Sequence, residues 1–407
     1  MSAADRRLRV LLVAETGLPY LSGVTVATDA LARGLGAAGH EVMLLVPRPA
    51  AGDEAPPAVG TGGPAPRTVW LPSVQLPRPA PPRYRVPLPL AGRAAMREAL
   101  AFAPHVVHVA SPFGAGRRGR RIARRLGVPL VFTHHTRFDD YAHYLGPLAG
   151  PARTALRRWL GAFWAACDAV VAPGTDLGAE IRALLPSRAA TVVRVIPTGI
   201  DLDVVRGLVP DDLRTRAGWP ADAVVAVALG RLAPEKSVEE ILEAVAAVPG
   251  LHLAVIGDGP SAAALRRHAA DPDLATRTWF AGARPRTAAL SLLASGDLFV
   301  VASRTETQGL VVAEALAAGV PVVGVDAPGV RDAVRDGLDG MLVAAEPAAD
   351  RPARLAAALA TLLADGPRRR AMATAAAEGA ERLALATRTA ETVALYRELL
   401  ARRGAGA

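Results

Sequence analysis

The chain has no asparagine, two glutamines (Gln75 and Gln308), one cysteine and one lysine. Each scarcity closes off a class of function. A single cysteine, Cys167, rules out an intrachain disulfide and a multi-cysteine zinc site. Its setting, "FWAACDAVVAP", suits a buried thiol rather than a nucleophile. Aromatics are 4% of the residues, too few for a platform on which single-stranded bases stack. No apolar stretch is long and clean enough to span a bilayer. The opening "MSAADRRLRVLLVAETG" has only a short apolar run before Glu15, so it reads as a first strand rather than a signal peptide, and a cytoplasmic location is the expectation. Lysine and asparagine are replaced throughout by alanine, arginine, glycine and proline, the habit of a GC-rich genome. Lys236 and Gln308 stand against that habit. The net charge of +9 fits nucleic acid, an anionic membrane surface or anionic substrates without choosing among them.

What is present is a strand–helix alternation, run twice. At 407 residues the chain is too long for one ordinary core and calls for two domains. "LRVLLVA" (8–14), "EVMLLVP" (41–47), "HVVHVAS" (105–111), "PLVFTHH" (129–135), "AVVAP" (169–173) and "VVRVIPTG" (192–199) read as buried strands, with helical spacing between them, as in 24–39. "VVAVALGRL" (224–232), "LHLAVIGDG" (251–259), "RTWFAGA" (277–283), "LFVVASR" (298–304) and "VPVVGVD" (320–326) repeat the scheme. Such alternation implies parallel sheets covered on both faces. The expected class is α/β, with two doubly wound Rossmann-like domains facing a central cleft, where open sheets bind ligands at their strands' carboxyl ends. The domains are expected at 1–205 and 206–386, with 387–407 a helix crossing back to the first. The Pro- and Gly-rich stretch 47–89 reads as a long irregular excursion, partly mobile.

Three motifs carry chemistry. "GRLAPEKS" (230–237) has the first glycine, lysine and serine of a P-loop, but Glu235 replaces the second glycine; a Cβ and a carboxylate there oppose a phosphate cradle. "LHLAVIGDGPSAAAL" matches the dinucleotide fingerprint through Gly257, Gly259 and Ala262. The next strand ends without the acidic residue that grips a ribose. A dinucleotide-dependent oxidoreductase, with Arg284 toward a 2′-phosphate, stays open as the reading from another class. In "SRTETQGLVVAEALAAGVPVV" (303–323), Glu306 and Glu314 form E-x₇-E around a loop that runs into a helix near Leu310. Free N–H groups at that helix start suit an anion, and Gly309 permits close approach. Two carboxylates beside a phosphate site suit a nucleotide sugar. The bland alternative is a capped helix with a solvated glutamate.

Together these motifs, with "LPYLSGVT" (18–25), "IPTGID" (196–201) and "FAGA" (280–283), resemble glycosyltransferase family 4, retaining enzymes of the GT-B fold, over nearly the whole chain. "FTHHTRFDDYAHYLG" (132–146) and "TETQGLV" (305–311) are similar to the branch with diacylglycerol glycosyltransferases and mannosyltransferases. The resemblance implies that Arg231 and Lys236 bind the donor diphosphate, Glu306 holds sugar hydroxyls, and Glu314 holds the ribose. It implies phosphate contacts from Gln308, Gly309, Leu310 and Gly23, with Thr307 and Gly257 also donor-binding and Arg284 toward the base. His135 aligns with the family's active-site histidine, and His134, one residue earlier, is the alternative. The donor implied is a UDP- or GDP-sugar, with no metal and no other cofactor; no Asp-x-Asp pair stands at a strand end.

The acceptor is read from surface charge. Arg117, Arg121, Arg124 and Arg125 share one helical face, and Arg157, Arg158, Trp159, Phe163 and Trp164 follow in 153–164. A basic face with aromatics suits an anionic membrane and a lipid or lipid-linked acceptor at its inner face. A soluble acceptor such as an aminocyclitol is the alternative. No nucleic-acid-binding module is present.

Overall fold

All eleven apolar runs form strands, because strands covered on both faces need no polar position. The computed structural model describes residues 6–20, 22–53, 65–76, 84–88, 91–135, 149–304, 306 and 308–405. Two units result: Met1–Asp201 with Leu385–Ala407, and Leu202–Ala384.

The first unit holds β1 (Arg9–Val13), β2 (Glu41–Pro47), β3 (Arg67–Leu71), β4 (Ser73–Gln75), β5 (Arg85–Pro87), β6 (Val106–Val109), β7 (Leu130–Thr133), β8 (Ala169–Ala172) and β9 (Val192–Val195). Seven form a parallel sheet in the order β3-β2-β1-β6-β7-β8-β9, and β4 pairs antiparallel with β5. Val10 sets the register, lying opposite Val42 on one side and Val106 on the other. β3 to β5 lie inside the stretch expected to be irregular. Their strand character was masked by flanking prolines, and residues 54–64 and 77–83 of that stretch lie outside the described residues. The last helix, Leu385–Gly404, returns to this sheet and buries Val393, Leu395, Tyr396 and Leu399 against Val10, Leu12 and Val131. Ion pairs fix it, Arg194–Glu398 and Arg403–Asp168, each at 2.8 Å.

The second unit holds β10 (Val224–Leu229), β11 (Leu251–Ile256), β12 (Thr278–Gly282), β13 (Leu298–Val301), β14 (Val322–Val325) and β15 (Gly340–Val343), in the order β12-β11-β10-β13-β14-β15. The strand order reverses between β10 and β13, so the loops leaving these two strands diverge and open a crevice. The contacts divide the chain after Asp201 and after Ala384, a few residues from the expected 205 and 386.

Candidate functional site

The crevice beyond β10 and β13 is built on glycine. Gly257 has φ of +138°, and a Cβ on it would stand 1.9 Å from the Gly230 carbonyl oxygen; one on Gly259 would stand 2.3 Å from that of Leu232. The two loops are laced by Leu232 N–H to the Asp258 carbonyl at 3.0 Å and Ser261 N–H to the Leu232 carbonyl at 2.9 Å. The fingerprint glycines therefore serve backbone packing and hold the loop that carries Arg231 and Lys236. On the other side, Gly309 caps the Leu310–Ala317 helix at φ +58°, a left-handed value that favours glycine. A Cβ there would lie 2.5 Å from the Gly329 carbonyl oxygen.

These loops bring Arg231, Lys236, Ser303, Glu306 and Gly309 around one pocket of about 450 Å³, walled by Val238, Ile241 and Phe299. Lys236 ends a short turn, Pro234–Lys236, and its Nζ forms a tight ion pair with the Glu306 carboxylate. Both side chains are about three-quarters buried, so solvent screens the pair only in part. Arg231 is exposed at the rim. The first helical turn after Gly309 leaves its N–H groups without intrahelical acceptors; Ala313 N–H is already bonded, to the Gly309 carbonyl at 2.9 Å. Gln308 and Leu310 flank Gly309 at this start, and Thr307 lies outside the described residues.

Glu314 stands one turn further in. Its side chain is 2% exposed and pairs with Arg286 through Oε1. Burial raises its carboxyl above the ordinary value, against the pull of the Arg286 guanidinium. Sequence reasoning placed Arg284 near the nucleotide and passed over Arg286. The structure leaves Arg284 exposed and brings Arg286 to the carboxylate. Among 46 arginines, no pattern singles out this one.

In the first unit, His134 and His135 alternate across the sheet. His134 is buried, with its ring 5.5 Å from Phe132 and 5.3 Å from Trp164. His135 lines a pocket of about 550 Å³ beneath the Gly23–Ala37 and Leu385–Gly404 helices, with Thr28, Thr133, His108 and Thr389. Burial pushes its imidazolium down to about 4, so the ring is neutral at neutral pH. Behind it, buried His108 bonds Tyr396 Oη through Nδ1 and Thr133 Oγ1 through Nε2, each at 2.6 Å. That bridge joins strands to a helix nearly 300 residues later, and no local signal announces it. Gly23 opens its helix after the Ser22 cap, with clear space where a Cβ would stand.

The basic surface differs from expectation in its aromatics. Arg117, Arg121, Arg124 and Arg125 are exposed, as are Arg157 and Arg158. Phe163 and Trp164 instead fill the core, 6% and 2% exposed. They follow the apolar stripe of their helix, which sequence alone could not assign to core or lipid. The exposed aromatics are Trp159 and Phe113, stacked at 5.3 Å. Among the described residues no group of three or more His, Cys, Asp or Glu side chains is placed to hold a metal ion. No helix among them is long and apolar enough to cross a membrane.

Two family descriptions match the chain: "Glycosyltransferase Family 4" over residues 21–204 and "Glycosyl transferases group 1" over 211–379. The chain is 32% identical over 337 residues to the GDP-mannose-dependent alpha-mannosyltransferase of Mycobacterium tuberculosis (strain CDC 1551 / Oshkosh), covering 83% of this chain and 84% of that one. It is 29% identical over 351 residues to the alpha-monoglucosyldiacylglycerol synthase of Acholeplasma laidlawii, covering 82% and 84%. The solved structure of Anabaena HepE in complex with UDP matches with a TM-score of 0.72 at 18% identity, over 96% of this chain and all of that one.

Proposed function

Because the chain belongs to glycosyltransferase family 4 and has the GT-B fold, we propose that it moves a hexose, with retention, from a UDP- or GDP-sugar to a hydroxyl of a lipid or lipid-linked acceptor. The observation that carries this reading is the convergence of Arg231, Lys236, Glu306 and the Gly309 helix start on one pocket. A departing nucleoside diphosphate gathers negative charge. Two cations and a row of N–H groups aimed at it give the main stabilisation, and the charge balance requires no metal. The Lys236–Glu306 pair suits an exchange of partners. The diphosphate takes the ammonium, and the freed carboxylate accepts from sugar hydroxyls. The family resemblance gives His135, held neutral by burial, the role of active-site histidine, and the Gly23 amide that of a phosphate contact. The oxidoreductase reading is set aside, since the relatives are sugar transferases and the fingerprint glycines are engaged in backbone packing.

Support for a lipid acceptor comes from the exposed arginines of Gly114–Leu126 and Ala149–Trp164 and from the Phe113–Trp159 stack. Together they fit the headgroup layer of an anionic bilayer, where arginines meet phosphates and aromatic rings sit at the boundary. The relative named for diacylglycerol agrees in acceptor class.

The test is calorimetry with UDP and GDP, then transfer from their sugars to diacylglycerol, phosphatidylinositol and soluble polyols, with the product anomer read by NMR. Selective binding of one diphosphate, transfer to lipid without added metal and a retained anomer are expected. Glu306→Gln should keep diphosphate binding and lose most transfer. Binding of neither nucleotide, or near-normal transfer by Glu306→Gln, would sink the assignment of the pocket. Transfer to a soluble polyol alone, with no preference for anionic vesicles in co-sedimentation, replaces the lipid acceptor with a soluble one.

A further inference from the structure

A carboxylate as buried as that of Glu314 ordinarily takes up a proton rather than stay charged. As an ionised acceptor it offers lone pairs on both oxygens; protonated, it turns one of them into a donor. Two vicinal hydroxyls arriving as donors need the first form. The cation that acts on Glu314 is Arg286. Of the charges on other elements packed against the Leu310–Ala317 helix, Arg331 pairs with Asp326 at 2.7 Å, Arg382 with Asp339 at 2.8 Å and Arg206 with Glu381 at 2.7 Å, and the rest, Asp203, Asp332, Arg368, Arg370 and Glu378, do not act on the Glu314 carboxyl. Arg369, from the Gly366–Glu378 helix, donates to the Leu362 carbonyl.

Arg286 is also well founded. It is the first residue of the Arg286–Ala294 helix and follows Pro285, and that helix is rooted through Ala289, Leu290, Leu292 and Leu293. Its guanidinium engages Oε1 of the carboxylate.

On the reading above, in which Glu314 receives the ribose, we infer that Arg286 is its positioning residue: the pair keeps the buried carboxylate ionised and aimed, so that the site selects ribonucleoside over deoxyribonucleoside diphosphates. Arg286 acts through Glu314.

The experiment compares the parent protein with Arg286→Gln, Arg286→Lys and Glu314→Gln. Affinities for UDP, GDP and their 2′-deoxy counterparts are measured by calorimetry from mildly acidic to neutral pH, with circular dichroism to confirm folding. Arg286→Gln and Glu314→Gln should bind the ribonucleotide about tenfold more weakly, the scale of a lost hydrogen bond to a charged group, with little change for the deoxy form. In Arg286→Gln the affinity should also fall as the solution is acidified, more steeply than in the parent, because Glu314 then takes up its proton. Arg286→Lys should recover much of the ribose preference. An Arg286→Gln protein with the parental preference and pH profile overturns the inference. So does one that loses both nucleotides equally, which marks a structural role. A parent protein that binds neither nucleotide overturns the reading of the pocket and this inference with it. A parent that binds them, with Arg286→Gln unchanged, overturns this inference alone.

Discussion

The strand order reverses between β1 and β6 in the first unit and between β10 and β13 in the second. At the first reversal Glu15, just past β1, accepts from the Ala115 N–H at 2.7 Å and sits against Gly114, whose Cβ position lies 2.9 Å from its Oε1. The helix after β6 thus has its positive end met by a side chain of its own unit. At the second reversal the nearby carboxylate, Glu306, is drawn to Lys236, and the N–H groups after Gly309 border the pocket. A helix start already neutralised from within is a structural joint, whereas one left open serves an arriving anion. That difference favours the second unit as the seat of the donor diphosphate.

Six substitutions and one change of condition break or sharpen this contrast. The largest effect should come from Lys236→Ala, which removes a preorganised donor from developing charge. It should cost roughly 2.7–4 kcal/mol, or about 100- to 1000-fold in turnover. Lys236→Arg should recover diphosphate affinity better than transfer, since charge returns but geometry does not. Parental turnover in Lys236→Arg would make the lone lysine an accident of composition.

Gly257→Ala comes next, and it acts on stability. Its Cβ would meet the Gly230 carbonyl at a forbidden distance and at a φ that L residues avoid. A loss on the order of 3 kcal/mol is expected in urea unfolding, with the site loop disordered. An unchanged midpoint would show that the two loops are not interlocked.

The histidine pair separates chemistry from packing. His135→Ala should lower turnover by about 10² or more with stability nearly intact. His134→Ala, losing its aromatic neighbours, should cost about 1–2 kcal/mol of stability with turnover less affected. The reverse order would move the site to His134.

Acid should find the first unit before the second. His40, His105, His108 and His135 there are all lowered by burial, to about 3 for His108 and about 4 for His135; in the second unit only His252 is lowered among the described residues. A folded pKa below the unfolded value means that the unfolded chain binds the extra proton. Stability is therefore full above about pH 6.5 and is lost as pH falls toward those folded values, by about 1.4 kcal/mol per pH unit for each fully titrating histidine. Glu314, with its carboxyl raised, leans the other way, since protonation removes a buried charge. Hydrogen exchange read unit by unit across that window tests the order. Simultaneous opening, or the second unit first, would contradict it.

The smallest effect belongs to Glu15→Ala. Loss of a carboxylate from a helix start should cost about 1 kcal/mol in thermal unfolding, with donor affinity unchanged. A large loss of donor affinity would mean that the first reversal also serves the nucleotide.

The strands buried on both faces were legible because nearly every residue in them is apolar, His108 and Thr133 being among the few exceptions. Those that were not legible, β3 to β5 and β15, lie among prolines or are only partly buried, as at Met341 and Leu342. In the site, Glu306 and Gly309 were legible through the E-x₇-E spacing around a helix start, and Lys236 only through the resemblance to the family; the structure brings all three to one pocket. Arg286 was not, because its partner lies 28 residues away and its type is the commonest cation in the chain. Phe163 and Trp164 misled for a related reason: an amphipathic helix announces that it has an apolar side, and only the tertiary structure says what covers it.

The return of the Leu385–Gly404 helix to the first sheet has a consequence for the order of synthesis. Residues up to Asp201 leave the ribosome first, yet Val393, Leu395, Tyr396 and Leu399 emerge only after the whole of Leu202–Ala384 has been translated. At ordinary elongation rates that interval is on the order of ten seconds or more. During it the nascent first sheet carries Val10, Leu12 and Val131 without the cover of that helix, and His108 without its Tyr396 partner. The earliest part of the polypeptide is thus among the last to be completed.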